Sequence, residues 1–298
     1  MKENKGVGVV RILLQVLLFA VLALGLGRCA KGGGGSSVPW NAYSYSFNGT
    51  GYIEFTPFRT LMDLAVSSNL TTMTVSFWIK FASLPGNSTL PILGATSTDA
   101  WEDGFVFWTG QNLSDIGEGA GINKLRFGPN DWNSQEAGIP MTDLSTDTWY
   151  HVVGVYNENG QVANGQNVQI YLNGTLKEQI GLATGFENFR EPAVGDAKLQ
   201  FGRSQDSGRL TGKLDEVAIW KDNLTAAEIL ELYNNGTPFR PTTEQGNYTS
   251  SGDLMGYWDL GDGSSFPTVD DRSGNSQSGT ATSLSSSAVV ADSPGGSE

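Results

Sequence analysis

The chain has 298 residues, 39% of them hydrophobic, which is enough for one large β-sandwich, with or without a smaller fragment beside it. Only 16% of the residues are charged while glycine occurs 39 times, and this composition favours short strands and tight turns over long amphipathic helices. The formal net charge is −13 and the 18 lysine and arginine residues are scattered. A phosphate backbone would be repelled, so we expect no nucleic-acid partner.

The N-terminus has the layout of a secretory signal over residues 1–30. Basic residues precede an apolar run at residues 12–27, which is shorter than the roughly twenty residues of a spanning helix. Cys29 is the only cysteine, so an intrachain disulfide is excluded, and its lipidation is one interpretation, with residues 31–39 as a flexible tether. Because Arg28 stands where a lipoprotein signal has a small residue, release after cleavage and an uncleaved membrane anchor remain alternatives. All three predict an extracellular or cell-surface protein.

Strands are predicted in succession from residue 43 onwards. Residues 73–81 (MTVSFWIKF) alternate in polarity, the pattern of a half-buried strand. Residues 168–172 (VQIYL) lead into Asn173-Gly174, the dipeptide of a type I′ hairpin turn whose two central residues have positive φ. The remaining predicted strands are at residues 43–55, 105–108, 124–127, 148–157, 175–180, 199–202 and 213–220.

One helix is predicted at residues 226–234. Thr225 can cap its first turn and Glu228 can reach back to complete a capping box, while Gly236 stands where a left-handed stop belongs. Together these patterns predict an all-β fold, a two-sheet antiparallel β-sandwich with one short peripheral helix.

Five segments resemble the concanavalin A-like, laminin-G-type jelly roll, and they occur in the order seen in that family. They are SFNGTGYIEF at residues 46–55, MTVSFWIKF at 73–81, DTWYHVVGVYN at 147–157, VQIYLNGTLKE at 168–178 and the block at 199–236. The resemblance implies one jelly-roll domain over residues 40–238. It also implies recognition of sugar, protein or lipid, because this scaffold hosts all three.

The C-terminal part changes in composition. Residues 239–252 are rich in Thr, Ser, Asn and Gly and are predicted to form a linker. Residues 253–282 resemble the segment that opens such a module, so they are either a partial repeat or strands that return to the sandwich. We favour returning strands, because Trp258 and Leu260 would otherwise lie in water. Residues 283–298 have few large apolar side chains and are expected to be disordered.

Catalysis is not expected. His151 is the sole histidine and lies in a predicted strand among apolar residues, which favours a packing role and excludes most zinc and general acid–base schemes. A glycosidase needs paired carboxylates that face one cleft. The candidates Asp215 with Glu216, and Glu102 with Asp103, are adjacent, and neighbours on a strand should point to opposite faces.

Asp215 is nevertheless a candidate metal ligand. It would share a strand face with Val217 and Ile219, and an ionised carboxylate beside apolar core needs a partner. That partner is either nearby backbone N–H groups or a structural calcium ion, as the resemblance to similar jelly rolls implies. For calcium, Asn48 and Asp196 are the further candidate ligands.

Loop side chains are the candidate ligand-binding residues. Sugar rings stack on aromatic faces while Asn and Asp orient their hydroxyls. The residues of this kind are Trp101, Asp103, Trp108, Asn130, Asp131 and Trp132. We therefore expect a noncatalytic module that recognises a glycan or a protein through loops at one edge of the sandwich. The alternatives are a structural or adhesin-type component of a cell envelope or virion, and a glycan hydrolase.

Overall fold

The computed structural model describes residues 41–57, 60, 70–86, 88–96, 103–111, 122–129, 136–161, 166–182, 189, 198–204 and 208–295. The chain divides into two compact units, Met1–Val38 and Pro39–Glu298, and all of the described residues lie in the second. Seven residues that the sequence singles out lie outside them, namely Cys29, Trp101, Glu102, Asn130, Asp131, Trp132 and Asp196.

Within the described residues the chain forms sixteen strands and one α-helix, α1 (Ala226–Tyr233). The strands are β1 (Ser44–Asn48), β2 (Tyr52–Pro57), β3 (Thr72–Phe81), β4 (Leu90–Ala95), β5 (Phe105–Gln111), β6 (Asn123–Gly128), β7 (Ala137–Pro140), β8 (Trp149–Gln161), β9 (Gln166–Leu172), β10 (Thr175–Ile180), β11 (Lys198–Phe201), β12 (Thr211–Trp220), β13 (Leu254–Trp258), β14 (Thr268–Val269), β15 (Gly279–Thr282) and β16 (Val289–Val290). No helix in this part of the chain has the length and hydrophobicity to span a bilayer.

The strands form two eight-stranded antiparallel sheets. The first has the order β10-β9-β8-β3-β12-β1-β16, with β13 also paired to β12, and the second has the order β14-β15-β2-β11-β4-β5-β6-β7. Apolar side chains from both sheets meet in one large hydrophobic core. The prediction of a two-sheet antiparallel sandwich with one short helix is confirmed.

Strand β3 is buried on both of its faces. The side chains that alternate into the main core are Val75, Phe77, Ile79 and Phe81. The opposite face, with Thr74, Ser76 and Trp78, is buried as well, so the prediction of a half-buried strand is wrong. The reason is a second apolar layer over the outer face of the first sheet, which includes Ile229 and Leu232 of α1 together with Tyr248 and Tyr257.

The hairpin between β9 and β10 forms as predicted. Asn173 has φ 50° and Gly174 has φ 74°, so both central residues adopt the positive φ that a type I′ turn requires. This turn makes β10 the edge strand of the first sheet.

The capping box of α1 is also present. The Glu228 backbone N–H donates to the Thr225 hydroxyl over 3.3 Å, and the Thr225 backbone N–H donates to Glu228 Oε2 over 2.9 Å. The helix ends at Tyr233, because Asn234 adopts the left-handed conformation with φ 43°, two residues before Gly236.

The C-terminal segment supplies strands to both sheets of the sandwich. Strand β13 pairs with β12, β15 pairs with β2, and β16 pairs with β1, all antiparallel. Trp258 of β13 is fully buried, with its ring 4.7 Å from Phe55 and 5.3 Å from Phe201 between centroids. The Trp258 indole N–H donates to the Gln277 carbonyl over 2.9 Å. These residues are therefore part of the same core as β2 and β11.

Residues 239–252, expected to be a linker, instead pack against the sheet. Tyr248 is fully buried, its hydroxyl donates to the Pro241 carbonyl over 2.7 Å, and it accepts from the Trp220 indole N–H over 2.9 Å. One buried aromatic ring thus holds a segment whose overall composition is polar.

Residues 283–295, expected to be disordered, pack against the main core through Leu284, Ala288 and Val289 and are also held by one carboxylate. Asp292 accepts from Lys80 over 3.1 Å, from the Trp149 indole N–H over 3.0 Å, and from Lys213. These bonds place β16 beside β1. Composition misses this contact because a single ion-paired carboxylate requires no apolar run.

Replacement of Trp258 by Ala should lower the free energy of unfolding by about 3–5 kcal/mol, because it empties a fully buried aromatic site between the sheets. The matched control is Leu230→Ala on α1, whose side chain is 56% exposed and whose loss should cost less than about 1 kcal/mol. Urea unfolding followed by circular dichroism measures both. Equal, small effects would show that β13 is not part of the core.

Candidate functional site

A groove of about 420 Å³ lies at the edge of the sandwich, where β6 and β7 of the second sheet meet β10 of the first. Its lining residues are Ile122, Lys124, Gly138, Pro140, Lys177 and Glu178. We call it the edge groove. Its volume falls within the range of ligand pockets in proteins, which is about 300–1,000 Å³.

The charged side chains of the edge groove are fixed in place. Lys124 Nζ lies 3.1 Å from Glu178 Oε1, and Glu178 Oε2 also accepts from the Gly138 backbone N–H over 2.5 Å. The Lys124 side chain lies so close over Gly138 that a Cβ at that position would be 2.6 Å from Lys124 Cδ. Lys177 Nζ lies 2.8 Å from Asp143 Oδ2. The groove therefore presents donors and acceptors that are already oriented.

Apolar surface stands beside these charges. Ile122, directly before β6, is 37% exposed, and Pro140 closes β7. A ligand in the groove would meet polar groups of both signs and an apolar wall at once. The sequence analysis predicted a binding site at an edge of the sandwich, but it assigned that site to aromatic loop residues, which do not line this groove. The signal that points to the groove itself is the charged pair Lys177-Glu178 on the strand that returns from the hairpin.

Two of the predicted ligand-binding residues lie within the described residues, and both are buried. Trp108 has no exposed surface, its indole N–H donates to Glu136 Oε1 over 2.8 Å, and the Arg126 guanidinium carbon lies 5.5 Å from the ring centroid. Asp103 is 4% exposed. Neither presents a surface to a ligand in this structure.

Asp215 and Glu216 are close neighbours, although strict alternation would separate them. The register of β12 against β3 shifts between Asp215 and Ala218, and Glu216 has φ 50°. Leu214 and Val217, three residues apart, both reach the main core. A β-bulge at Glu216 interrupts the alternation. The predicted separation of the two carboxylates onto opposite faces is therefore wrong.

Burial governs the protonation of this pair. Burial raises the pKa of both carboxyls well above their ordinary values, and the nearby charge of Glu216 raises the pKa of Asp215 further. Asp215 Oδ1 accepts from the Glu216 backbone N–H over 2.9 Å, and Glu216 Oε2 accepts from the Tyr257 hydroxyl over 2.5 Å. Within the described part of the chain, Asp215 Oδ2 and Glu216 Oε1 have no hydrogen-bond partner. The pair therefore favours a bound proton over two charges.

The same burial bears on hydrolysis. Asp215 is 0% and Glu216 is 5% exposed, so a polysaccharide chain does not reach either carboxyl in this structure. The sequence suggested that adjacent carboxyls could not form an acid–base pair, and the bulge removes that objection. The layer formed by α1 and residues 239–257 nevertheless covers both carboxyls.

A calcium ion at Asp215 would need six to eight oxygen ligands. In the part of the chain that the structure describes, no three His, Cys, Asp or Glu side chains are arranged to hold a metal. Asn48 pairs with Thr211 in the first sheet. Thr211 is four residues before Asp215 on β12, which is roughly 13 Å along the strand. The side-chain oxygen Oδ1 of Asn48 accepts from the Thr50 backbone N–H over 3.2 Å and from the Thr50 hydroxyl over 2.6 Å. Asp196 lies outside the described residues.

His151 is enclosed by aromatic rings. Its ring centroid lies 5.1 Å from Trp78 and 6.2 Å from Tyr233, and Nε2 is 2.7 Å from the Ser76 hydroxyl. Burial lowers the pKa of His151 to about 3, so the ring is neutral at physiological pH. These contacts are those of a packing residue.

Residues 47–230 match a laminin-G family model that is described as the concanavalin A-like lectin/glucanases superfamily. The chain belongs to this superfamily. The match covers more than half of the sequence and runs from the end of β1 into α1, so the family assignment rests on both sheets. A search of curated protein sequences found no significant match.

One solved structure shows the same fold, and a second is similar over much of its length. A suspected carbohydrate-binding protein from Bacteroides ovatus is 19% identical with a TM-score of 0.56, over 85% of this chain and 61% of that chain. This member of the superfamily thus spans less than two thirds of that structure. A heptameric SAP-like pentraxin from Limulus polyphemus is 16% identical with a TM-score of 0.46, over 76% of this chain and 95% of that chain.

Replacement of Glu216 by Gln should stabilise the protein at neutral pH. The folded-state pKa of Glu216 is raised above its ordinary value of 4.5, so the wild type loses stability as the pH rises above that value. Gln cannot ionise, so the gain in melting temperature should be largest above pH 7 and should vanish near pH 4. Thermal melting at a series of pH values measures this difference.

The control is the same melting series with calcium and with a chelator, which should leave both midpoints unchanged. A destabilised Glu216→Gln variant, together with a wild type that calcium stabilises, would instead show that the pair binds metal.

Proposed function

We propose that this protein is a noncatalytic binding module that recognises a glycan or a partner protein in the edge groove. The observation that carries the proposal is the groove itself, a concave site of about 420 Å³ whose polar groups are held by hydrogen bonds before any ligand arrives. Preorganised groups lose little conformational entropy on binding, so their interactions contribute to affinity.

The chemistry of the groove favours a sugar. Sugar hydroxyls both donate and accept hydrogen bonds, and Lys177 and Glu178 offer a donor and an acceptor side by side. The apolar wall of Ile122 and Pro140 can pack against the C–H face of a ring. The name of the superfamily includes lectins, and the Bacteroides ovatus structure bears a name that refers to carbohydrate binding; both support the proposal.

Replacement of Lys177 by Ala should weaken binding to a glycan hit by about tenfold, because a charge-assisted hydrogen bond contributes roughly 1.5–3 kcal/mol. The hit is first found by screening the full chain on a glycan array, and its affinity is then measured by calorimetry. Lys177 pairs with the exposed Asp143 at the surface, so the fold should be unaffected.

The matched control is Lys221→Ala, which removes an exposed lysine that does not line the groove. The site is refuted if Lys177→Ala and Lys221→Ala bind alike. Capture of a protein partner that Lys177→Ala abolishes, without any glycan hit, would assign the groove to protein recognition.

We further propose that the module acts outside the cytoplasm. The support is the basic segment followed by the apolar run at residues 12–27, which ends two residues before Cys29. Expression of the full chain in a bacterial host should yield an exported protein. If Cys29 is lipidated, it should take up labelled palmitate and Cys29→Ser should move from the membrane to the soluble fraction. An uncleaved chain confined to the cytoplasm would contradict export.

A further inference from the structure

The outer face of the first sheet carries three nitrogen donors in one row. Trp149 of β8 lies directly opposite Lys80 of β3, and Lys80 lies directly opposite Lys213 of β12. The neighbours of Lys80 along its strand, Ile79 and Phe81, belong to the main core, so the row lies on the other face. Three adjacent strands therefore fix where the indole N–H and the two ammonium groups can reach.

The two lysines of this row need an anion between them. Side chains at directly opposed positions of an antiparallel pair start about 4.5–5.5 Å apart, and like charges there are destabilising. An anion that lies between two ammonium groups removes the repulsion and accepts a charge-assisted hydrogen bond from each of them. The register of Lys80 against Lys213 therefore creates a place for an anion, whatever molecule supplies it.

We propose that Lys80, Lys213 and Trp149 form a binding site for a carboxylate, and that Asp292 of the same chain is its exchangeable occupant. The Trp149 indole N–H donates to Asp292 Oδ1 over 3.0 Å, Lys80 Nζ donates to Oδ2 over 3.1 Å, and Lys213 Nζ also donates to Oδ2. Both oxygens of one carboxylate are thus bound, as they would be in a free carboxylate. We call this the carboxylate site. It is separate from the edge groove and goes beyond the function proposed for that groove.

The site favours the ionised form of its occupant. Burial acts to raise the pKa of Asp292, but the hydrogen bonds from Lys213, Trp149 and Lys80 outweigh it and lower that pKa below its ordinary value of 3.8. The donors also address different oxygens, with the indole on Oδ1 and Lys213 on Oδ2. A planar group with two oxygens and a negative charge meets both conditions, which identifies carboxylates as the ligand class.

The occupant is held by a shorter element than the donors are. The donors belong to β3 and β12, of ten residues each, and to β8, of thirteen. Asp292 instead follows β16, which has two residues and lies at the margin of the sheet. Its carbonyl accepts from the Ser44 hydroxyl over 2.6 Å, and its side chain remains 27% exposed. Terminal segments open at a lower free energy than whole domains, so this carboxylate can leave while the lysines stay in place.

The tether of Asp292 determines how the site is tested. A group linked to its site by a short segment has an effective concentration on the order of millimolar, so an external carboxylate competes poorly with it. The affinity of the site for an external carboxylate is therefore measured on a full-length chain whose residue 292 has no carboxyl group.

The test is thermal melting of Asp292→Ala in sodium acetate and in sodium chloride at equal ionic strength. Acetate should raise the melting temperature of the variant by about 3 °C more than it raises that of the wild type, because it binds the folded variant alone. The wild type reports the general effect of acetate on stability, since its own carboxylate fills the site. If the variant has no melting transition in chloride, acetate should restore one.

The matched control is Asp253→Ala, which removes an exposed carboxylate next to Leu254, the residue that pairs with Trp220 at the other end of β12. It should respond to acetate as the wild type does. A chain with both Asp292→Ala and Lys213→Met should lose the additional response. The proposal is overturned if acetate acts alike on Asp292→Ala and the wild type, if the response survives in the double variant, or if Asp292→Ala stays unfolded in both salts. None of these outcomes bears on Lys177 and the edge groove.

Discussion

The burial of β12 on both faces is the constraint on which the rest of the structure depends. This strand pairs with β3 on one side and with β1 and β13 on the other, so its backbone is satisfied within the first sheet. Leu214, Val217 and Ile219 fill the main core, while Ala218 and Trp220 contact the outer apolar layer. A strand of this kind needs a cover over the outer face of the sheet. Helix α1 and the segment after it provide that cover, and their apolar side chains are ordered because they pack on β12 and its neighbours.

The same constraint explains the unusual chemistry of Asp215 and Glu216. The bulge in β12 lies between the residues that pair with β1 and those that pair with β13, and it buries both carboxyls. Among the residues that the structure describes, two of the four carboxyl oxygens have no hydrogen-bond partner, which disfavours two charges there. Burial therefore favours a bound proton, and the pair lowers the stability of the fold as the pH rises.

The edge groove lies where the sandwich ends. It forms where the edge strands β7 and β10 approach each other, and Lys124 is paired with Glu178 from one sheet to the other. Its polar groups reach solvent from strands of both sheets. The residues that line the groove are therefore distinct from the core residues, which hold the strands in place and do not line the groove.

Local patterns in the sequence were enough for the two-sheet architecture, the Asn173-Gly174 turn and the capping box of α1. Each depends on neighbours in the chain, namely period-two alternation, positive φ at two residues, and a side chain that reaches three residues along a helix. Tertiary structure alone decided the rest. The bulge at Glu216 lies between the part of β12 that pairs with β1 and the part that pairs with β13, and no local pattern in the sequence predicts it. Tyr248 and Asp292 each hold a polar segment through several contacts that one side chain makes, and the composition of a segment does not reveal such contacts. The edge groove likewise joins residues from β6, β7 and β10, which become neighbours only when the two sheets pack.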